Sequence, residues 1–238
     1  MEEVLNDLKE LSLKGPILSE SDSPNSIGRT LRNELKIEST RNEYKGFRIN
    51  ATNLKGNSRF NIISGCVPDW NKSVISSSKE LVNFYGVSDE TGKYKKKLFC
   101  TLHSNYPNSF GLYLKVNRSK GILTENFLKN NLKKQLLVWD SKKLIERLST
   151  KNKTIFVHAY KLKKNSRIMF HFRLAEFFIN PNFEKFLRMI DHGSISMDHA
   201  ISVSHKTNKA KEQGPLFKIT REAMPKLFDE YNKFDLMD

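Results

Sequence analysis

Glu43-Tyr44-Lys45-Gly46-Phe47-Arg48-Ile49-Asn50-Ala51 is the stretch on which the reading of this 238-residue chain turns. Gly46 supplies the backbone freedom that a tight turn needs. Beyond it Phe47, Ile49 and Ala51 alternate with the polar Arg48 and Asn50, the two-residue period of a half-buried strand. Before it stand an acid, Glu43, and an aromatic, Tyr44. Phe60 and Ile62 repeat the alternation and predict a second strand nearby.

Working outward, Val4, Leu5, Leu8 and Leu11 recur at helical spacing and predict an amphipathic helix over 2–13. A Ser- and Pro-rich loop covers 15–26, and a helix follows with Ile27, Leu31 and Leu35 on one face. Residues 64–97 carry Gly, Pro, Ser and the Lys95-Lys96-Lys97 run with little periodicity, so they read as a long functional loop. Strands are expected at Leu98–Leu102, Leu112–Val116, Leu136–Trp139, Ile155–Tyr160 and Ile168–Phe172. Helices are expected over 141–150 and 181–192. Ile195–Val203 and Leu216–Ile219 bracket a polar, lysine-containing loop, and a terminal helix closes the chain. This order is mixed α/β. With no internal repeat and no linker, one domain of two lobes, 1–97 and 98–238, is expected.

Composition sets further bounds. An apolar content of 38% with 16 Phe suffices for a sizeable core and excludes wholesale disorder. Cys66 and Cys100 lie in apolar, strand-like surroundings at no metal spacing, and they imply no disulfide framework. No signal-peptide pattern opens the chain and no apolar run approaches a membrane span, so a cytoplasmic setting without membrane is expected. Charge is uneven. Residues 1–50 carry 8 Lys+Arg and 9 Asp+Glu, whereas residues 91–164 carry 18 Lys+Arg against Glu125, Asp140 and Glu146. That single block equals the whole excess of +15 and calls for a polyanion. Its lysines lie between strand-like runs and not on one amphipathic helix, which favours nucleic acid over a membrane surface. The six histidines form no metal-like cluster; His158 and His171 read as satisfied core or edge residues. No phosphate-binding glycine motif and no nucleophile–base arrangement appears.

The hairpin resembles that of the MvaI/BcnI-type restriction endonucleases, which belong with the MutH-like nucleases of the PD-(D/E)xK fold. In that pattern an acid precedes an aromatic residue and a turn, and the following strand carries acid-x-lysine. Further pieces are similar in order and spacing: Gly28-Arg29-Thr30-Leu31 to the helix start before the hairpin, Lys97-Leu98-Phe99 through Leu112-Tyr113-Leu114 to a central strand pair, Trp139 through Leu148 to the next helix, Phe183-Glu184-Lys185-Phe186 to a late helix, and Asp198 to Ile219 to the C-terminal recognition segment. The resemblance covers most of residues 27–228. It implies a mixed sheet flanked by helices, with two lobes around a DNA cleft.

Residue by residue, the resemblance also implies a dismantled catalytic centre. Glu43 fills the first acid, but the second acid reads Arg48 and the lysine reads Asn50. The assisting helix acid reads Arg32. Where the recognition segment carries Asp-x-Arg, then His-Asp-x-Gly and Phe-Arg, this chain has Asp198-His199-Ala200, Lys211-Glu212-Gln213-Gly214 and Phe217-Lys218. Phosphodiester hydrolysis on this fold needs Mg²⁺ between converging carboxylates, with a lysine to position water and offset charge. A guanidinium at a ligand position repels that ion by several kcal/mol, even at an effective dielectric of about 20. Asn50 has neither charge nor a titratable proton. Without the resemblance, Glu43 reads as a surface acid paired with Lys45.

The expected function is therefore double-stranded-DNA binding on a restriction-endonuclease scaffold, beside a working nuclease or a restriction-modification partner. Arg48 is expected to grip a phosphate by bidentate hydrogen bonds. Phosphate contacts are expected from Lys93, Lys95, Lys96, Lys97, Arg118, Lys120, Lys133 and Lys134. Base contacts are expected from His205, Lys211, Gln213 and Lys218. Tyr106, in a turn with Asn105 and Asn108, is a candidate wedge at a base step. Two alternatives stand: an active Mg²⁺-dependent endonuclease in which Glu34 or Glu38 supplies a relocated carboxylate beside Glu43, and an RNA-binding protein drawn by the same lysine block.

Overall fold

The first helix, α1 (Glu2–Leu13), buries Val4, Leu8 and Leu11 on one stripe, as their spacing predicts. A computed structural model describes residues 1–23, 25–38, 42–54 and 59–238. After α1 come β1 (Ile17–Leu18), α2 (Ser26–Glu34), β2 (Glu43–Tyr44), β3 (Phe47–Asn53) and β4 (Arg59–Ser64). Then follow α3 (Ser78–Tyr85), β5 (Val87–Ser88), β6 (Lys96–Leu102), β7 (Leu112–Asn117), β8 (Ile122–Lys129), β9 (Leu132–Trp139) and α4 (Ser141–Ser149). The chain ends with β10 (Lys153–Lys164), β11 (Arg167–Pro181), α5 (Phe183–Asp191), β12 (Ile195–Val203), β13 (Ala210–Glu212), β14 (Leu216–Thr220) and β15 (Phe228–Asp235).

Two compact units result: Met1–Asn57 with Lys151–Asn180 and Phe228–Asp238, and Ser58–Thr150 with Pro181–Leu227. The expected boundary at 97/98 is corrected, because the chain leaves the first unit after β3 and returns to it at β10. In the first unit the strand order is β1-β11-β10-β3-β2, with β15 on β11. Here β3 pairs with β10 in parallel, and a parallel neighbour needs a long crossover, supplied by the stretch of the second unit that runs between them. The inner face packs Phe47, Ile49, Ile155, Val157, Phe172 and Phe177 against α1 and α2. Each such side chain contributes about 1.5–3 kcal/mol of burial.

The second unit holds an antiparallel sheet in the order β4-β14-β12-β6-β5, with β13 on β12, and a meander β7-β8-β9. Its core includes Trp139, whose indole N–H donates to the Cys66 carbonyl at 2.7 Å, and Phe186 and Phe217. A buried ion pair also lies here: His199 Nε2 of β12 is 2.7 Å from the Glu125 carboxylate of β8. Burial alone lowers the His199 basicity, but the Glu125 charge and hydrogen bond outweigh it and hold the imidazole above its usual range.

Three expectations fail here. Residues 64–97 are not one loop, since α3 and β5 lie inside them; Ser77 caps α3 by accepting from the Glu80 N–H at 3.2 Å. The loop between β12 and β14 contains β13. The terminal helix is the strand β15: Phe228, Tyr231 and Phe234 have helix-like spacing, yet they pack on Phe177 and Phe178 beside β11.

Candidate nucleic-acid interface

In the first unit the hairpin forms as its residues dictate. Lys45 and Gly46 both take positive φ, +47° and +81°, and close the turn between β2 and β3. The turn is anchored on α1, where the Lys45 ammonium meets Glu3 at 2.7 Å and Asp7 at 2.6 Å. Tyr44 donates to Asp7 at 2.8 Å. Burial raises the Asp7 carboxyl pKa, but Lys45 and Tyr44 bring it below its ordinary value. Lys45 therefore answers α1 acids, and the pairing with Glu43 is corrected.

The strand alternation sends Phe47 and Ile49 into the core and turns Arg48 and Asn50 to the opposite face. Glu43 lies across from Arg48 and is exposed. Thr154 of β10 is the parallel partner of Arg48, and Phe156 that of Asn50. Arg48 Nε is buried and meets no hydrogen-bond partner among the described residues. Lys151, half-buried in the turn before β10, feels it: burial and then the Arg48 charge push the Lys151 amine down to about 8. At the open edge of β3 a depression of about 510 Å³ is lined by Gly28, Arg29, Arg32, Asn42 and Asn50 among others. Arg32 Nη1 donates to Asn42 Oδ1 at 3.4 Å across it.

The resemblance implies a divalent ion at this hairpin, and a dication needs several oxygen ligands at short range. Here the hairpin offers one exposed carboxylate, an asparagine and cations. Among the described residues no group of three or more His, Cys, Asp or Glu converges to hold an ion. Glu34, a candidate substitute on α2, is taken by Lys14 at 2.8 Å. The donor set does not fit such an ion.

The second unit presents a polar sheet face. Asp198 of β12 accepts from Thr101 of β6 at 2.8 Å, Lys218 of β14 at 2.6 Å and Arg59 of β4 at 3.3 and 3.2 Å. Arg59 also donates to Ser196 Oγ at 2.7 Å. Burial works to raise the Asp198 carboxyl, yet these partners bring it below the ordinary carboxylate value. Around this knot lies a depression of about 500 Å³ lined by Phe99, Thr101, Asp198, Ala200, Gln213 and Lys218, with Tyr94 edge-on to Phe99. Gln213 and Lys218 both line this depression. Lys211 and His205 are exposed but do not line the depression.

The lysine run is not a row of free charges. Lys95 reaches Asn208 Oδ1 at 3.3 Å, Lys96 the Asn83 carbonyl at 2.9 Å, and Lys97 the buried Asp89 at 2.6 Å. A separate groove of about 460 Å³ on the meander gathers Lys120 and Lys133 with Lys72 and Lys115. Arg118 and Lys134 lie outside its lining. Asn108 is a turn former, bonded to the Phe110 and Leu112 N–H groups, which leaves Tyr106 as the exposed tip. Arg59 escapes sequence reading, and Lys115 and Lys151 count in the basic block without being singled out, because charge alone does not rank cations before a register groups them. Neither thiol is activated towards the thiolate: burial pushes Cys66 up to about 11, and burial with the Glu125 charge pushes Cys100 up to about 12.

Residues 5–228 match the model of the MvaI/BcnI restriction endonuclease family. The chain belongs to this family. The restriction endonuclease MvaI in complex with its cognate DNA substrate superposes with a TM-score of 0.76 at 17% identity, covering 99% of this chain and 97% of that one. MvaI in the absence of DNA gives 0.63 at 20% identity, covering 98% of each chain. Identities this low carry the fold, a PD-(D/E)xK restriction-endonuclease scaffold, and no residue role. No curated protein matches the chain. Among the described residues no helix of this family member is long and apolar enough to cross a membrane.

Proposed function

We propose that this member of the MvaI/BcnI family binds double-stranded DNA and does not cut it by the mechanism of its fold. The observation that carries the reading is Arg48: a buried guanidinium nitrogen without a partner among the described residues stands where the family resemblance expects a metal-binding acid. A guanidinium there attracts the phosphate that a metal ion would otherwise bridge, and a dication is repelled. Asn50 leaves no lysine to support an attacking water. The engagement of Glu34 by Lys14 speaks against a carboxylate relocated from α2.

Several further features support duplex DNA as the partner. The meander groove sets Lys72, Lys115, Lys120 and Lys133 among Asn117, Asn126 and Gln135, a lining suited to a phosphate backbone. The knot on Asp198 holds Lys218 and Arg59 in fixed positions, and Lys218 shares one depression with Gln213, as reading of base edges requires. The similar MvaI structure is a complex with cognate DNA.

The experiment is twofold. Fluorescence anisotropy with duplex and single-stranded DNA and RNA at fixed salt is expected to rank duplex DNA first. Plasmid incubation with Mg²⁺ or Mn²⁺ is expected to leave supercoiled DNA intact. Nicking that Glu43→Ala abolishes would overturn the non-cutting reading, and stronger retention of RNA would overturn the choice of partner.

A further inference from the structure

We propose that Arg48 and Lys151 together form a seat for a single phosphate group, in the place where the fold otherwise holds a metal ion. This rests on the reading that the chain binds DNA, and it gives a specific role to one lysine of the basic block that the sequence does not single out.

Local structure brings the two together. Arg48 lies beside Thr154 in the parallel ladder, and the Thr154 hydroxyl donates to the Lys151 carbonyl at 3.1 Å, tying the turn at 151 to that rung. The same turn is pinned from β11, where Asn180 N–H donates to the Asn152 carbonyl at 2.9 Å. Lys153, the next cation along, sits over the Phe47 ring at 5.9 Å and so lies beside the neighbouring rung. Asn50 continues the face that Arg48 begins, two residues further along β3.

Charge and hydrogen bonding then specify the ligand. Buried polar groups are almost always hydrogen-bonded, and buried charges are paired. Here one guanidinium N–H is buried without a partner among the described residues, and a second cation close enough to lose basicity through the Arg48 charge lies beside it. The acids around the hairpin are engaged elsewhere or exposed: Asp7 and Glu3 by Lys45, Glu34 by Lys14, Glu176 on β11 by the Tyr231 hydroxyl at 2.7 Å, with Glu38 and Glu43 at the surface. Two cations without an internal counter-ion among the described residues call for an external anion. A tetrahedral phosphate oxygen pair matches the fork of arginine donors, and an ammonium beside it neutralises the remaining charge. The occupant we assign is a backbone phosphodiester of duplex DNA; inorganic phosphate shares the chemistry and serves as the isolated probe.

The test uses the full chain as wild type, Lys151→Gln, Lys151→Arg and Arg48→Gln. First, thermal unfolding is followed in sodium phosphate against sodium chloride at equal ionic strength and pH 7. A phosphate concentration ten times its Kd is expected to raise the wild-type midpoint by about 3–5 °C relative to chloride. Lys151→Arg should retain most of that shift, and Lys151→Gln and Arg48→Gln should lose it. Second, duplex affinity is expected to fall about 5- to 10-fold in Lys151→Gln and to recover in Lys151→Arg, with the salt slope lower by about one in Lys151→Gln. Equal phosphate shifts in wild type and Lys151→Gln, or no shift in either, would overturn the seat, as would unchanged duplex affinity in Lys151→Gln. A Lys151-dependent phosphate shift in a protein that does not bind duplex would instead keep the seat and sink the DNA reading.

Discussion

Lys151 and Arg48 are like-charged neighbours held together by the fold, and the cost shows on the lysine, whose amine burial and the Arg48 charge push down to about 8. A group of this kind makes stability depend on pH with a definite sign. The unfolded amine titrates near its ordinary value of about 10.4. Between about 8 and that value the unfolded chain binds more protons, so stability rises with pH across the window. Below about 8 the folded protein bears the full penalty of a charged, crowded lysine. Lys151→Gln is therefore expected to be more stable than wild type at pH 7, by about 0.5–2 kcal/mol. The gain should shrink as pH climbs from 8 towards 10.5. Urea unfolding at both ends of the range checks it, and a destabilised Lys151→Gln at pH 7 would contradict the repulsion.

Arg48→Glu tests the electrostatics from the other side. A carboxylate there faces Glu43 across one rung of the hairpin and replaces a phosphate attractor with a repeller. Without metal, duplex affinity is expected to drop at least tenfold. Mn²⁺ should partly restore it, because two carboxylates on facing residues begin a divalent site. Wild type should show no such metal dependence. Anisotropy titrations with and without Mn²⁺ decide between them.

The sequence shows the scaffold more readily than the site, for a physical reason. Core positions announce themselves by period: Val4, Leu8 and Leu11 on a helix, Phe47 and Ile49 on a strand. Where period misleads, neighbours decide, as with Phe228, Tyr231 and Phe234, which look helical until the rings of Phe177 and Phe178 are placed beside them. Ser77 and Glu80 carry a capping signal for α3, masked by the Gly, Pro and Ser that dominate the segment. Charged side chains obey no period. The run at Lys95–Lys97 looks like a free basic patch, while Arg59 looks isolated and Lys151 is one lysine among many in the basic block. The register reverses both impressions.

Asp198 gathers Thr101, Lys218 and Arg59 from three strands, so its removal should cost more than one surface ion pair. Asp198→Ala takes the shared acceptor from Lys218 and the Thr101 hydroxyl and leaves Arg59 only Ser196, and a loss of about 1–3 kcal/mol is expected. The carboxyl lies below its ordinary value in the folded protein, so its contribution is complete at neutral pH and fades as pH falls below about 4. Duplex affinity should fall as well, because Lys218 and Arg59 lose their fixed geometry. An Asp198→Ala protein with unchanged stability and affinity would make the knot incidental.

The buried pair of His199 and Glu125 behaves oppositely with pH. Its imidazole is held above the usual range, so the pair contributes fully below about 6.5 and is lost as pH rises through the raised value. His199→Leu strands a carboxylate in the core and is expected to cost about 3–5 kcal/mol. Adding Glu125→Leu should recover much of that loss, since replacing both partners removes the uncompensated charge. Denaturation of the single and double variants at pH 6 and pH 8 checks both the sign and the recovery.

The lysines divide into those the fold uses and those it leaves for a ligand, and salt dependence separates them. Lys97 is bound to the buried Asp89, whose carboxyl is held far below its ordinary value by Lys97 and Thr91. Lys97→Ala should therefore destabilise the protein and leave the salt slope of DNA binding nearly unchanged. Lys120 and Lys133 are exposed in the meander groove. Replacing each by Ala should leave stability within about 0.5 kcal/mol of wild type. The slope of log K against log salt should meanwhile fall by about one for each phosphate left without its lysine. Binding isotherms from about 50 to 200 mM salt, set beside urea midpoints for the same variants, distinguish the classes. If Lys97→Ala flattened the slope while Lys120→Ala and Lys133→Ala did not, the duplex would have to lie along the 95–97 run and not in the meander groove.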